Sequence, residues 1–349
     1  MKKLLLTLLT LTAGTVSAQL LQTENFNTLN LGNVGTDITG ATPGQDNWLT
    51  FSSNGTAPTT GTNAANENFQ IVATGNASSN GLKITSSNGD KGSRFMWKDG
   101  FDAIWATRTT GNNILEVEYD MYTGSATSST AQVGVRLYGA DGTNSRVLGG
   151  FVYNVGSRVL NGVAYLNNGG TFGTFLINLT AAPGLVLDAD TWYRIGFAYN
   201  TTTGEVIFKT NTVYTGLNAA NWVGPFDPTE VDFVSAVPST NTVVSDLTFD
   251  NLTVKATATE GLLGTTEIQG LENTIAIYPN PTNNVVNVKG NNVGFTAVSF
   301  TDINGRVVKT VNVDTTSETE ISISEMNSGV YFMNITTDSG VVTKKIVKQ

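Results

Sequence analysis

The chain has 349 residues, a formal net charge of −9 and only 13% charged residues, against about 25% in ordinary globular domains. An acidic chain repels polyanions, which argues against nucleic acid and anionic membrane surfaces as partners. Cysteine and histidine are both absent, so Ser-His-Asp and Cys-His catalysis, zinc held by His or Cys, and His-ligated haem are excluded by composition, and stability must come from burial in place of disulfides.

Residues 1–18, MKKLLLTLLTLTAGTVSA, carry Lys2 and Lys3, an apolar run from Leu4 to about Ala13, and small residues at Ser17 and Ala18. This is the pattern of a cleavable signal peptide, with the mature chain expected to begin at Gln19. The apolar run is shorter than the roughly 20 residues of a membrane-spanning helix, and no later segment approaches that length, so no transmembrane segment is expected. No cysteine follows the small residues to take a lipid anchor.

From residue 69 onward, twelve short alternating apolar runs are separated by Gly, Asn, Asp and Ser clusters: FQIVAT, GLKITS, SRFMW, ILEVEYDMY, AQVGVRLY, RVLGGFVYNV, GVAYL, FGTFLINL, WYRIGFAY, EVIFKT, VDFVSAV and LTFDNLTV. A period of two without a 3.6-residue period predicts an all-β domain over residues 19–256. Turns are expected at Asp141-Gly142, at Asn161-Gly162, and in a hairpin loop from Asn200 to Gly204. Residues 257–273 lose the alternation and read as a linker. Seven further runs in residues 274–349, with a turn at Asn304-Gly305, predict a small seven-stranded Ig-like β-sandwich behind a large jelly-roll β-sandwich.

The last 76 residues carry a set of blocks in order: Tyr278-Pro279-Asn280-Pro281, the strand VVNV, the turn from Asp302 through Gly305 to Val308, Ser328-Gly329-Val330-Tyr331, and a closing Lys344-Lys345-Ile346-Val347-Lys348. Together they resemble the type A C-terminal sorting domain of the type IX (Por) secretion system. The resemblance implies Sec export to the periplasm, recognition of the folded tail by the outer-membrane translocon, and delivery to the outer cell surface or the medium. It also implies a sortase-like peptidase as a partner, with cleavage expected in the linker before Tyr278, where little regular pairing admits a protease. Each block also has a plain structural role. The prolines end a strand and guard an edge, Asn304-Gly305 supplies a tight turn, and Gly329 lets the chain turn into the VYF strand.

Residues 22–256 resemble the concanavalin A-like (lectin/glucanase, LamG-like) jelly rolls, on Thr191-Trp192-Tyr193-Arg194-Ile195 leading through a hairpin to EVIF, and on the final strand from Leu247 to Val254. Three candidate sites follow. In ILEVEYDMY, Glu116, Glu118 and Asp120 share one face of a strand, and family 16 glycoside hydrolases of this fold carry Glu-x-Asp-x-Glu on such a strand. Here the central acid is Glu118 and the last is the shorter Asp120, so the reach that a retaining pair needs, about 5 to 5.5 Å, is weakened. Trp97, Phe101, Trp105, Trp222 and Phe226 lie in or beside loop-like stretches and are candidates for stacking on sugar rings, with core burial as the plain alternative. Glu24 and Asp250 would meet if the first and last strands pair, which makes them candidate ligands of a structural calcium; no other cofactor is expected. The altered triplet favours a non-catalytic, glycan-binding or adhesive module over a family 16-like hydrolase of extracellular polysaccharide.

Overall fold

The computed structural model describes residues 18–55, 63–142, 144–238, 241–263, 275–290, 294–302, 306–337 and 340–349. The expected signal peptide, apart from Ala18, lies outside them, as do Asn304, Gly305 and residues 264–273. The chain divides into two compact units, the first ending at Leu263 and the second starting at Gly264. No helix among the described residues is long and apolar enough to cross a membrane.

The first unit is a sandwich of two antiparallel sheets. In edge-to-edge order the first sheet holds Tyr214–Gly216, Val206–Lys209, Trp192–Asn200, Ile114–Tyr122, Asp246–Thr257, Gly81–Thr85, Phe69–Val72 and Gly32–Asn33, with Gln19–Glu24 also paired to Asp246–Thr257. The second holds Thr171–Asn178, Val159–Asn168, Ser145–Asn154, Gln132–Ala140, Asp227–Ala236, Ser93–Trp97 and Leu49–Ser52, with Leu185–Val186 against Val159–Asn168. Non-consecutive neighbours within both sheets give the jelly-roll connectivity expected from the sequence.

Alternation along the strands builds the core. Leu115, Val117, Tyr119 and Met121 point inward from Ile114–Tyr122, and Val133, Val135 and Leu137 point inward from Gln132–Ala140. Phe151 joins the sheets: its ring meets Tyr119, Phe197 and Phe208 of the first sheet at 6.5, 6.0 and 5.6 Å. Such tilted and edge-on pairs each add about 0.5–1.5 kcal/mol beyond area burial.

Three expectations change. Asn161-Gly162 is not a turn but the middle of Val159–Asn168. A Cβ on Gly162 would meet the Phe208 ring at 2.8 Å, so glycine is there for close packing, while Asn161 bonds Asn154 and Asn178 on the flanking strands. The linker starts later than Thr257, which is the last residue of its strand; Leu262 is fully buried against Ala198, Ile207 and Ile114. Finally, the stretch after Trp97 is not a loop throughout, because Gly100, at φ +86°, starts a short helix, Phe101–Ala106.

Among the described residues the second unit has seven strands in two antiparallel sheets. One is Ile275–Tyr278, Val285–Gly290, Glu318–Ser322, and the other is Val307–Thr316, Phe295–Asp302, Gly329–Thr337, Gly340–Lys348. Val286, Val288, Val298, Phe300, Met333, Ile335 and Ile346 fill its own core.

Candidate functional site

The Glu116, Glu118, Asp120 face is built as the alternation requires, but it is buried: the three residues are 1%, 1% and 5% exposed. Residues 260–263 fold back over it. Gly261 N–H and the Thr257 hydroxyl donate to Glu116, and Leu263 N–H donates to Glu118 at 3.2 Å. Arg194 bridges Glu118 and Asp120 at 3.2 and 3.3 Å, and Lys255 lies 3.6 Å from Glu118. Asn76 and Asn251 amides complete Asp120 at 3.0 and 2.7 Å. Burial pushes the Glu116 carboxyl up to about 7, with the Gly261 amide acting in the opposite direction. This is a polar seam that ties the 76–79 turn, Asn251 and the 260–263 segment to the sheet, and each acid already has its partners.

The aromatic candidates separate. Phe101 and Trp105 are 1% and 2% exposed and belong to the core, which corrects their reading as sugar platforms; the helix that carries them turns both rings inward. Trp222 is half-buried, its indole N–H held by the Leu217 carbonyl, and Phe226 packs on the core. Trp97 reaches a recess on the outer face of the second sheet, and Phe101 lines a separate one. Trp97 is half-buried and its Nε1 donates to Asp99 at 2.9 Å.

Glu24 and Asp250 lie on strands that do pair, Glu24 opposite Leu252. Glu24 accepts from the Phe26 amide and the Trp48 indole and lies 3.5 Å from Lys98. Asp250 accepts from Asn76 N–H, Asn251 N–H and the Ser79 hydroxyl, and burial raises it to about 6. Both carboxylates are thus engaged by protein donors. Among the described residues no group of three or more His, Cys, Asp or Glu is placed to hold a metal ion.

The recess beside Trp97 has a volume of about 330 Å³ and is lined by Phe51, Phe95, Trp97, Tyr138, Ser145, Glu230 and Asp232. Pairing puts them side by side: Phe51 opposite Phe95, Glu230 opposite Tyr138, and Asp232 opposite Arg136. The Phe51 and Phe95 rings are 6.2 Å apart. Beside the recess the outer face holds a buried apolar cluster of Val147, Val152 and Val163 with Tyr138 packed against it, and Leu176, half exposed, lies opposite Val163. Four partly open aromatics around a pair of acids can stack on a ring and bond its polar rim.

Burial raises Asp232 well above the usual carboxylate range, with Glu230 adding to the effect, and burial raises Glu230 as well. Glu230-x-Asp232 has the same spacing as the first two acids of the triplet, but the next residue on that face is Val234. The spacing is legible in the sequence; the partner aromatics, drawn from strands far apart in the chain, are not.

In the second unit Tyr278 is exposed and its hydroxyl bonds Glu318 at 3.1 Å. Pro279-Asn280-Pro281 leads into Thr282, which pairs with Lys348. Gly329 has no turn to make: it opens the strand Gly329–Thr337, where a Cβ would meet the Tyr331 ring at 3.7 Å. Lys345 is exposed, and Gly305 lies outside the described residues.

Residues 276–349 match the family described as the secretion system C-terminal sorting domain. A sequence search of proteins with curated functions found no match. Three solved structures show a distant likeness. The family 7 alginate lyase A1-II′, in complex with substrate, is 14% identical over 56% of this chain and 83% of its own, with a TM-score of 0.41. The alginate lyase vAL-1 from Chlorella virus is 11% identical over 53% and 88%, at 0.39. The sialidase of Trypanosoma rangeli is 9% identical over 55% of this chain at 0.35, and the match spans only 27% of the sialidase.

Proposed function

Residues 276–349 are a secretion system C-terminal sorting domain that directs type IX export to the cell surface or extracellular space, and from that premise we propose that the first unit is its cargo, a non-catalytic glycan-binding module. The observation that carries this is the recess of Phe51, Phe95, Trp97 and Tyr138 around Glu230 and Asp232 on an outward sheet face. Sugar rings offer C–H faces to aromatics and hydroxyls to carboxyl groups, and this recess presents both.

A binding role fits the acids better than hydrolysis. Glycoside hydrolysis needs two carboxyl groups set apart across the scissile bond. Glu230 and Asp232 stand two residues apart on one strand face, and the third position on that face is Val234. Glu116 and Glu118 lie under residues 260–263 with Lys255, Arg194 and backbone amides as partners, and Asp120 is held by Arg194, Asn76 and Asn251. A sortase-like peptidase acting between the units is the further partner in this reading.

A glycan array probed with the full chain tests the proposal. Retention of at least one polysaccharide that is lost in Trp97→Ala and kept in Trp222→Ala supports it; a folded chain that retains nothing sinks it.

A further inference from the structure

The acids of the recess form an unusual pair. Asp232 is 3% exposed, and its Oδ1 receives no N–H or O–H donor from the protein. The group beside it is the Glu230 carboxyl, two residues along the same strand face. Two acids side by side disfavour one another's ionisation, the direction in which burial and the neighbouring carboxyl push Asp232. Glu230, the more open of the two, offers acceptor oxygens to a ligand hydroxyl.

The charges around the pair come from every neighbouring element. Arg136 faces Asp232 from Gln132–Ala140, and Asp99, just past Ser93–Trp97, acts on Glu230. Other nearby cations are engaged elsewhere: Lys98 by Asp46 and Glu24, and Arg146 by Asp141 at 2.7 Å while it stacks on Tyr165. Three carboxyl groups against one guanidinium leave a net negative recess, walled by aromatic rings, that repels a further anion.

We propose that the Glu230–Asp232 pair makes this recess a selector for uncharged glycan units, excluding polymers that carry uronate or sulfate at the bound residue. This rests on the glycan-binding reading and names the ligand class of the same site. A neutral sugar donates hydroxyl hydrogen bonds to the pair while a ring stacks on the aromatic wall. A carboxylate on that sugar would sit against the Glu230 and Asp232 carboxyls, with Arg136 the cation facing Asp232.

The test is affinity electrophoresis of the full chain in gels containing neutral polysaccharides (laminarin, xyloglucan, mannan) and in gels containing the same polymers oxidised at C6 to the uronate. The wild-type chain is expected to be retarded by at least one neutral polymer and at least tenfold more weakly by its oxidised form. In the double variant Glu230→Gln, Asp232→Asn that gap is expected to fall below threefold. Equal or stronger retardation of the wild type by the oxidised polymer overturns the selection and leaves glycan binding standing. A gap that persists in a folded double variant, checked by its melting temperature, overturns the role of the pair. No retardation by any neutral or oxidised polymer overturns the glycan-binding reading and the selection with it.

Discussion

Asn280 holds Val347 as a neighbouring strand would: its Oδ1 accepts from Val347 N–H at 3.0 Å while its Nδ2 donates to Lys345 O at 2.8 Å. The backbone then continues the contact, Thr282 N–H to Val347 O and Gln349 N–H to Thr282 O, both at 2.9 Å. The segment between the two prolines therefore fastens the final strand of the sorting domain to its first residues. Proline supplies no N–H, and the Asn280 amide makes the bonds that the prolines cannot.

Asn280→Ala removes both side-chain bonds. At about 0.5–1.5 kcal/mol each, the last strand should loosen by about 1–3 kcal/mol. Limited trypsin digestion of the full chain should then cut faster after Lys344, Lys345 and Lys348, and the exported fraction should fall. Unchanged cutting would show that the strand is held by its pairing with Gly329–Thr337 alone.

Glu116 gives a pH dependence with a definite sign. Its carboxyl rises from 4.5 unfolded to about 7 folded, so the folded state binds the extra proton. Stability from this group is complete below about pH 4.5 and is lost as pH rises to about 7. Glu116→Gln has no such proton, so its melting temperature should gain on the wild type as pH rises from about 5 to about 7 and level off above that. The full difference is on the order of 3 kcal/mol. Asp250 shifts in the same direction but is present in both proteins, so the difference curve isolates Glu116; parallel curves would show that Glu116 ionises freely in the folded chain.

Periodicity places most of the strands because a sandwich strand writes its two faces as odd and even residues, as Leu115, Val117 and Tyr119 against Glu116, Glu118 and Asp120 show. What covers a face is not written locally. The acid triplet reads as a solvated or catalytic surface until Gly261, 145 residues away, is found on it. The helix that buries Phe101 and Trp105 has six residues, too few to display a helical period. Glu230 stands just outside the alternating run that begins at Val231, so the acid pair becomes visible only once Phe51, Phe95 and Tyr138 are brought beside it.

The two tryptophans of one short stretch should therefore behave differently. Trp105→Ala opens a core cavity and should cost about 3–5 kcal/mol, read as a drop in the denaturation midpoint. Trp97→Ala, on the outer face, should leave the midpoint within about 1 kcal/mol and remove glycan retention. Equal destabilisation by both would assign Trp97 to the core.

The border of the cargo unit yields the last test. Leu262 is fully buried among Ala198, Ile207 and Ile114, Lys209 donates to its carbonyl, and its neighbours cap Glu116 and Glu118. A chain ending at residue 256 loses that plug and leaves two buried carboxylates without amide donors, whereas one ending at residue 263 keeps both. Removing the apolar plug and the capping bonds should cost about 2–5 kcal/mol, so the shorter chain should melt several degrees lower. Leu262→Ala in the full chain should reproduce much of the loss without any truncation. Since neither shortened chain has a sorting domain, both should remain in the cell envelope, which separates the two roles: residues up to 263 stabilise the cargo, and residues 276–349 export it. Equal melting of the two truncated chains would mean that the seam over Glu116 and Glu118 contributes nothing to the fold.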